Sequence, residues 1–289
     1  MSGPLHQRLA DAVGEPSGGI RFGRLAGGDT SEVFKVETAQ GLAWVVKLNR
    51  VDEPTRFGAE AQGLLALAAT NTVRVPRVHR VTASGAALVL EAVDVRPMSA
   101  ASWQALGTGL GKLHAIDAGP RYGWSRDNFL GPSPQPNGWL TNWAEFWRTR
   151  RLEPHIRRAV DAGLLGTGVH RELSRIVNDL EQWIPAAPPP ALLHGDLWSG
   201  NVVSDRSCEP VLLDPAVCVG DAEADLAMTR LFGGFTEGFY RAYHDVCPRR
   251  EGWEARAELY ALYHWLNHLN AFGTAYLAPV ARIAARFGG

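Results

Sequence analysis

Cysteine is scarce in this 289-residue chain, which contains only Cys208, Cys218 and Cys247. Their number and spacing suit neither a disulfide framework nor a thiolate metal centre, so reduced thiols in a cytoplasmic protein are expected. No apolar run approaches the roughly 18 residues needed to span a bilayer, and no basic segment leading into an apolar stretch marks the N-terminus for export. Excess charge of one sign is missing too: 29 Lys and Arg face 30 Asp and Glu, spread along the chain. That balance argues against a nucleic-acid or membrane surface and leaves a small molecule as the expected partner. Internal repeats and low-complexity segments are absent.

Hydrophobic residues make up 46% of the chain, enough for a sizeable core, and the length fits one domain or two closely packed lobes. Pro4–Val13 reads as a short amphipathic helix, broken by Gly18-Gly19. Strand-like runs then alternate with turns: Ile20–Leu25, a turn over Ala26–Thr30, Glu32–Val36, a turn at Ala39–Gly41, and Leu42–Leu48. In the last of these, alternation puts Leu42, Trp44, Val46 and Leu48 on one face and Lys47 with Ala43 and Val45 on the other. Thr55–Ala69 has helical spacing, with Glu60 projecting from its early middle. Strands Val78–Val81 and Ala86–Ala92 follow, after which the composition turns helical. Helices are expected at Ser102–Ile116, Trp143–Val160, His170–Trp183, Ala222–Phe232, Phe235–Val246, Ala255–Phe272 and Tyr276–Phe287. Residues 117–141 read as one long, aromatic-rich functional loop. The expected class is α+β, with an antiparallel β-sheet lobe carrying one main helix over residues 1–92 and a mostly helical lobe over 93–289.

Chemistry concentrates in two stretches, LHGDLWSGNVV at Leu193–Val203 and LLDPA at Leu212–Ala216. A polar turn with local Asx bonding would explain one of Asp196, Asn201 and Asp214, but not the whole string with its strand-like flanks. Metal-assisted phosphoryl transfer explains all three. Asp196 would orient the attacking hydroxyl as catalytic base, while Asn201 and Asp214 would hold Mg²⁺ against the phosphates of ATP, in the chain order seen in protein kinases. Lys47 would neutralise the α- and β-phosphates, and Glu60 would hold its ammonium. Gly27, Gly28 and Ser31, in LAGGDTSEVF, are either a phosphate-approaching turn or an ordinary hairpin turn. Glu91 and Val93 would form the hinge whose backbone bonds adenine. His194 is expected to support its loop, and His114 to be a core histidine with a satisfied partner. Asp225, in GDAEADLAM, either hydrogen-bonds the catalytic loop or simply occupies a helical first turn.

These motifs, together with LFGGF, LYHWLNHLNAFG, WVVKLNR, FGAEAQGLLAL, TVRVPRV, DNFLGPSPQPNGW and FWRTRRL, closely resemble the fructosamine/ketosamine-3-kinase family, related to the aminoglycoside phosphotransferases. The match runs along nearly the whole chain. It implies a protein-kinase-like bilobal fold and ATP-dependent phosphorylation of the 3-hydroxyl of ketosamines, either fructosamine or ribulosamine adducts on amines or protein lysines. The 3-phosphate makes the adduct unstable, so the amine is regenerated. The same resemblance makes Asp196 the base, Lys47 and Glu60 the nucleotide pair, and Asn201 and Asp214 the magnesium positions. Some members carry a cysteine in the glycine-rich turn where this chain has Asp29-Thr30, which argues against redox control there.

A ketosamine offers hydroxyls and an amine, so Trp198, Trp265, Asn267 and His268 are candidate substrate contacts. Asn267 and His268 serve equally well as caps for the buried face of their helix. Two other readings stay open: a related kinase of an aminoglycoside or amino alcohol, and a nucleotide-binding pseudokinase regulator. The DNF loop and HGDLWSGN argue against the first, and the intact set Lys47, Asp196, Asn201 and Asp214 against the second. A monomer is expected, with a dimer possible.

Overall fold

A computed structural model describes residues 3–25, 31–50 and 53–289. In chain order these form α1 (Pro4–Val13), β1 (Ile20–Arg24), β2 (Ser31–Thr38), β3 (Ala43–Asn49), α2 (Thr55–Ala69), β4 (Val78–Val81), β5 (Ala87–Glu91) and α3 (Ala100–His114). Next come four three-residue strands, β6 (Tyr122–Trp124), β7 (Asn128–Leu130), β8 (Ser133–Gln135) and β9 (Gly138–Leu140), and then α4 (Trp143–Phe146), α5 (Glu153–Asp161) and α6 (Thr167–Asn178). The chain closes with β10 (Pro190–Leu193), β11 (Val202–Ser204), β12 (Pro210–Leu212), β13 (Cys218–Asp221), α7 (Ala222–Leu231), α8 (Glu237–His244), α9 (Trp253–Phe272) and α10 (Leu277–Gly288). Among the described residues no helix is long and apolar enough to cross a membrane.

Two compact units emerge, one comprising 1–102 with 202–215 and the other 103–201 with 216–289. Against the expected division at residues 92 and 93, the contacts divide after Ser102, and the β11–β12 hairpin joins the N-terminal unit.

In the first unit five antiparallel strands lie in the order β1-β2-β3-β5-β4, with β3 at the centre. One face of β3 packs Trp44, Val46 and Leu48 with Leu9, Ala12 and Val13 of α1 into an apolar cluster. Alternation sends Lys47 to the other face, where α2 supplies its partner Glu60. α2 follows from Phe57, Ala61 and Leu64, buried at helical spacing. The hairpin 202–215 is held to this unit by backbone bridges from Arg96 to Ser204 and from Arg74 to Val211. Arg74 reinforces the join through ion pairs to Glu91, Asp205 and Glu209.

The second unit carries a four-stranded sheet, β10-β13-β6-β9, among the helices. The long loop expected over 117–141 is instead built from hairpins, with β6 pairing β9 and β7 pairing β8. Strands of three residues interrupted by Pro and Gly carry no readable alternation, which is why the sequence pattern misses them. A second departure falls in the expected helix 143–160, where a π-helical stretch, Trp147–Leu152, separates α4 from α5. Trp143 and Trp147 are core residues that pack with Phe146 and Tyr260 in one aromatic group, and the Trp143 indole donates to Tyr260 Oη at 2.9 Å.

Candidate active site

Sheet topology gathers the HGDLWSGN motif. Because β10 and β13 are antiparallel, with Leu193 opposite Cys218, the loop leaving β10 and the segment entering β13 emerge at the same sheet end. The tip between β6 and β9 emerges there as well.

At that end Asp196 is firmly placed. Asn201 Nδ2 donates to the Asp196 carbonyl at 2.9 Å and to its Oδ2 at 3.0 Å, and the Asp196 N–H donates to His194 Nδ1 at 3.3 Å. Gly195 adopts a φ of 81°, and a Cβ there would stand 2.0 Å from the Ala216 carbonyl oxygen, so only glycine fits. Beneath the loop, the buried Asp225 accepts the N–H groups of His194 at 2.7 Å and of Gly195 at 2.8 Å. Its carboxylate also meets His114 Nε2 at 3.3 Å, while His114 Nδ1 meets Tyr243 Oη at 2.9 Å. Burial opposes ionisation of Asp225, but its hydrogen bonds and the fields of His114 and His194 outweigh that and hold its carboxyl below the usual range. Of the two roles open to Asp225, the structure shows loop support, and His114 is a core histidine with two partners.

In the first unit Lys47, 7% exposed, bonds Glu60 at 2.7 Å and Asp214 at 2.5 Å. Burial works against the ammonium, yet the Asp214 and Glu60 carboxylates outweigh it and raise its pKa, so Lys47 stays charged. Burial pushes the Glu60 carboxyl up against the pull of Lys47. Asp214 sits at a φ of 53°, a backbone region a side chain seldom adopts, and half of its side chain is exposed. Such placement suits a metal: one carboxylate oxygen bonds Lys47, and the side chain remains accessible. Asn201 fits as well, because its Nδ2 is spent on Asp196, which leaves the amide oxygen as a hard donor of the kind Mg²⁺ prefers. Among the described residues no three His, Cys, Asp or Glu side chains form a metal cluster alone.

Ser31 opens β2, buried opposite Asn49, while Gly27 and Gly28 lie outside the described residues. The Glu91 N–H is already used, donating to the Arg77 carbonyl at 2.9 Å, and its carboxylate is bound by Arg74 and Arg77. Val93 lies two residues beyond the end of β5.

Of the candidate substrate contacts, three converge and one does not. Trp198 packs edge-on against Phe232 at 5.9 Å, and Phe232 in turn meets Trp265 at 5.6 Å and His268 at 5.0 Å. Asn267 lies instead on the buried face of α9, with its Oδ1 unpartnered. Phe232 is the residue that sequence reasoning passes over. Its signal is the pair Gly233-Gly234 behind it, both at positive φ, where a Cβ on Gly234 would come 2.6 Å from Ser199 Cβ and push the loop after β10 away.

A small antiparallel sheet with a Lys–Glu pair, joined to a helical unit carrying HGDxxxxN, is the architecture of protein-kinase-like phosphotransferases. The aminoglycoside phosphotransferase APH(4)-Ia shares this fold, with a TM-score of 0.66 over 99% of this chain and 98% of that one at 16% identity. The fructosamine kinase family model matches residues 1–287, and the chain belongs to that family. A Synechocystis sp. protein provisionally named ketoamine kinase is 39% identical over 275 residues, 94% of this chain and 92% of that protein. The crystal structure of a Thermobifida fusca protein provisionally named fructosamine-3-kinase superposes with a TM-score of 0.87 at 33% identity, covering 99% of this chain and all of that one. The chain is therefore a nucleotide-using kinase that acts on a hydroxyl group.

Proposed function

We propose that this chain transfers the γ-phosphoryl group of ATP to the 3-hydroxyl of a ketosamine, a fructosamine or ribulosamine adduct on a small amine or a protein lysine, in the cytoplasm. The observation that carries the reading is the bonding of one buried lysine, Lys47, to both Glu60 and Asp214. Two carboxylates around one ammonium fix a cation where the α- and β-phosphates would lie, and Asp214 is thereby aimed for metal binding. The ketosamine half rests on family membership and on the aromatic group around Phe232.

Asp196 accepts the proton of the substrate 3-hydroxyl as the oxygen attacks the γ-phosphorus and ADP departs. Asn201 keeps that carboxylate oriented through its Nδ2, and Asp225 keeps the supporting backbone in place. Asn201 and Asp214 would hold Mg²⁺, which neutralises charge on the transferring phosphates when bound. Backbone at Glu91 and Val93 would receive adenine; with the Glu91 N–H spent in the sheet, Glu91 would offer its carbonyl. Trp198, Trp265 and His268 present aromatic faces and a ring nitrogen to the sugar or its amine.

Incubation with Mg-ATP and a panel of fructosamine, ribulosamine and aminoglycoside, with the phosphate located by ³¹P NMR, tests the reading. Phosphorylation at O3 of a ketosamine supports it, and turnover of the aminoglycoside alone overturns it. Asp196→Asn should lower kcat by about 10³-fold with ATP affinity nearly unchanged, since it removes a transition-state function. A matching loss of ATP affinity would contradict the role given to Asp196.

A further inference from the structure

Three side-chain amides in the β6–β9 tip, Asn128, Gln135 and Asn137, are 5%, 2% and 4% exposed. Amides this deep are costly unless fully bonded, and these are bonded in a directional order. Tyr263 Oη donates to Gln135 Oε1 at 2.5 Å. Gln135 Nε2 donates to Asn128 Oδ1 at 2.7 Å and to the Ala216 carbonyl at 3.3 Å. Asn128 Nδ2 donates to the Val217 carbonyl at 2.8 Å. Asn137 Nδ2 donates to Asn128 Oδ1 at 3.1 Å, and Asn137 Oδ1 accepts from Arg151 Nη2 at 2.8 Å.

Arg151 closes the far side. It is 1% exposed on the π-helical stretch, donates to the Pro136 carbonyl at 2.7 Å, and lies over the Phe146 ring at 4.7 Å. Among the described residues it has no carboxylate ion-pair partner, so this is a buried charge solvated by carbonyls, an amide and an aromatic face. Interior charges and π-stretches are both expensive and concentrate where a site needs them.

The network terminates on Ala216 and Val217, and Ala216 is the residue against which the catalytic loop is fitted. Its N–H donates to the His194 carbonyl at 2.8 Å, and its carbonyl stands where any Cβ on Gly195 would be. A displacement of Ala216 therefore passes directly into residues 194–196. We propose that Asn128, Gln135, Asn137 and Arg151 are positioning residues, a buried amide wedge that sets the orientation of the Asp196 carboxylate by fixing Ala216 and Val217. The DNF-loop signature then encodes the placement of the base and does not encode a contact with the sugar. This inference rests on the kinase reading of Asp196 given above.

Asn128→Asp is the informative variant, because it keeps the shape and the Oδ1 acceptor but turns the donor to Val217 into a second acceptor. The milder Tyr263→Phe removes one hydroxyl and serves where Asn128→Asp does not accumulate as folded protein. Both are compared with the wild type on whichever hydroxyl acceptor the wild type phosphorylates, so failure on ketosamines shows in the wild-type panel and leaves the comparison intact. The expected result is kcat reduced by about 10- to 100-fold in Asn128→Asp and several-fold in Tyr263→Phe, with KM for both substrates within about twofold. A selective rise in acceptor KM at preserved kcat overturns the proposal by making the tip a substrate contact. Unchanged kcat per folded enzyme with a lowered Tm also overturns it, by making the network structural support alone.

Discussion

Asp225 offers the sharpest mutational test of how the loop carrying the proposed base, Asp196, is held. Its two oxygens accept adjacent main-chain N–H groups, at 2.7 and 2.8 Å, in a site 1% exposed. Asp225→Ala orphans both donors at about 1–3 kcal/mol each, so a loss near 4 kcal/mol is expected, a large part of the ~5–15 kcal/mol that stabilises a typical domain. Asp225→Asn retains one acceptor and turns an NH₂ group toward the second donor, which should cost about 2 kcal/mol. Because the orphaned groups lie one and two residues before Asp196, kcat should fall at least ~10-fold even in the folded Asn variant. Urea titration followed by tryptophan fluorescence gives the stability, and turnover under native conditions gives the kinetic effect. An Asn variant within ~0.5 kcal/mol of wild type and with full kcat would falsify the claim that this carboxylate shapes the loop.

Two further outcomes follow from the same geometry. Gly195→Ala places a Cβ 2.0 Å from the Ala216 oxygen at a φ of 81° and should destabilise by more than ~3 kcal/mol with loss of turnover, whereas Gly168→Ala, which meets no atom within 4 Å, should leave turnover intact. Burial, reinforced by Arg158 and Arg151, lowers the His155 pKa to about 3, and burial next to His268 lowers that of His264 to about 3, from an ordinary 6.5. Both rings are then neutral when folded and gain protons on unfolding. Their contribution is complete above about pH 6.5 and is lost as the pH falls toward about 3, at up to ~1.4 kcal/mol per pH unit for each ring. Urea midpoints between pH 6 and 4 should follow that slope, and His264→Gln should remove about half of it.

Much of the fold was legible because it rests on local periodicity. Thr55–Ala69 has the predicted bounds, and alternation in β3 correctly separates Lys47 from Trp44, Val46 and Leu48. Asp196, Asn201 and Asp214 stand out because apolar strands bracket short polar loops, a contrast any single sequence displays. What stayed hidden is held by long-range pairing. The strands β6 to β9 are too short to show alternation, and nothing near Asn128, Gln135 or Asn137 in sequence reveals that their amides end on Ala216 and Val217. Asp225 could be read two ways because a helical first turn favours an acidic residue regardless of what lies above it. The assignment of residues 202–215 to the first unit depends on Arg74, more than 100 positions earlier.

That assignment has a consequence for dissecting the protein. Lys47 takes one of its two carboxylate partners from residue 214, so a fragment ending near residue 102 retains Glu60 but leaves the ammonium half-paired in a buried site. The complementary fragment would begin in the second unit, yet carry a hairpin whose bridging partners, Arg74 and Arg96, are on the other piece. No single cut yields two self-sufficient halves. Split-enzyme reconstitution should therefore require both fragments to complete their folding together, with recovery of activity reporting the return of the 202–215 hairpin to the sheet unit.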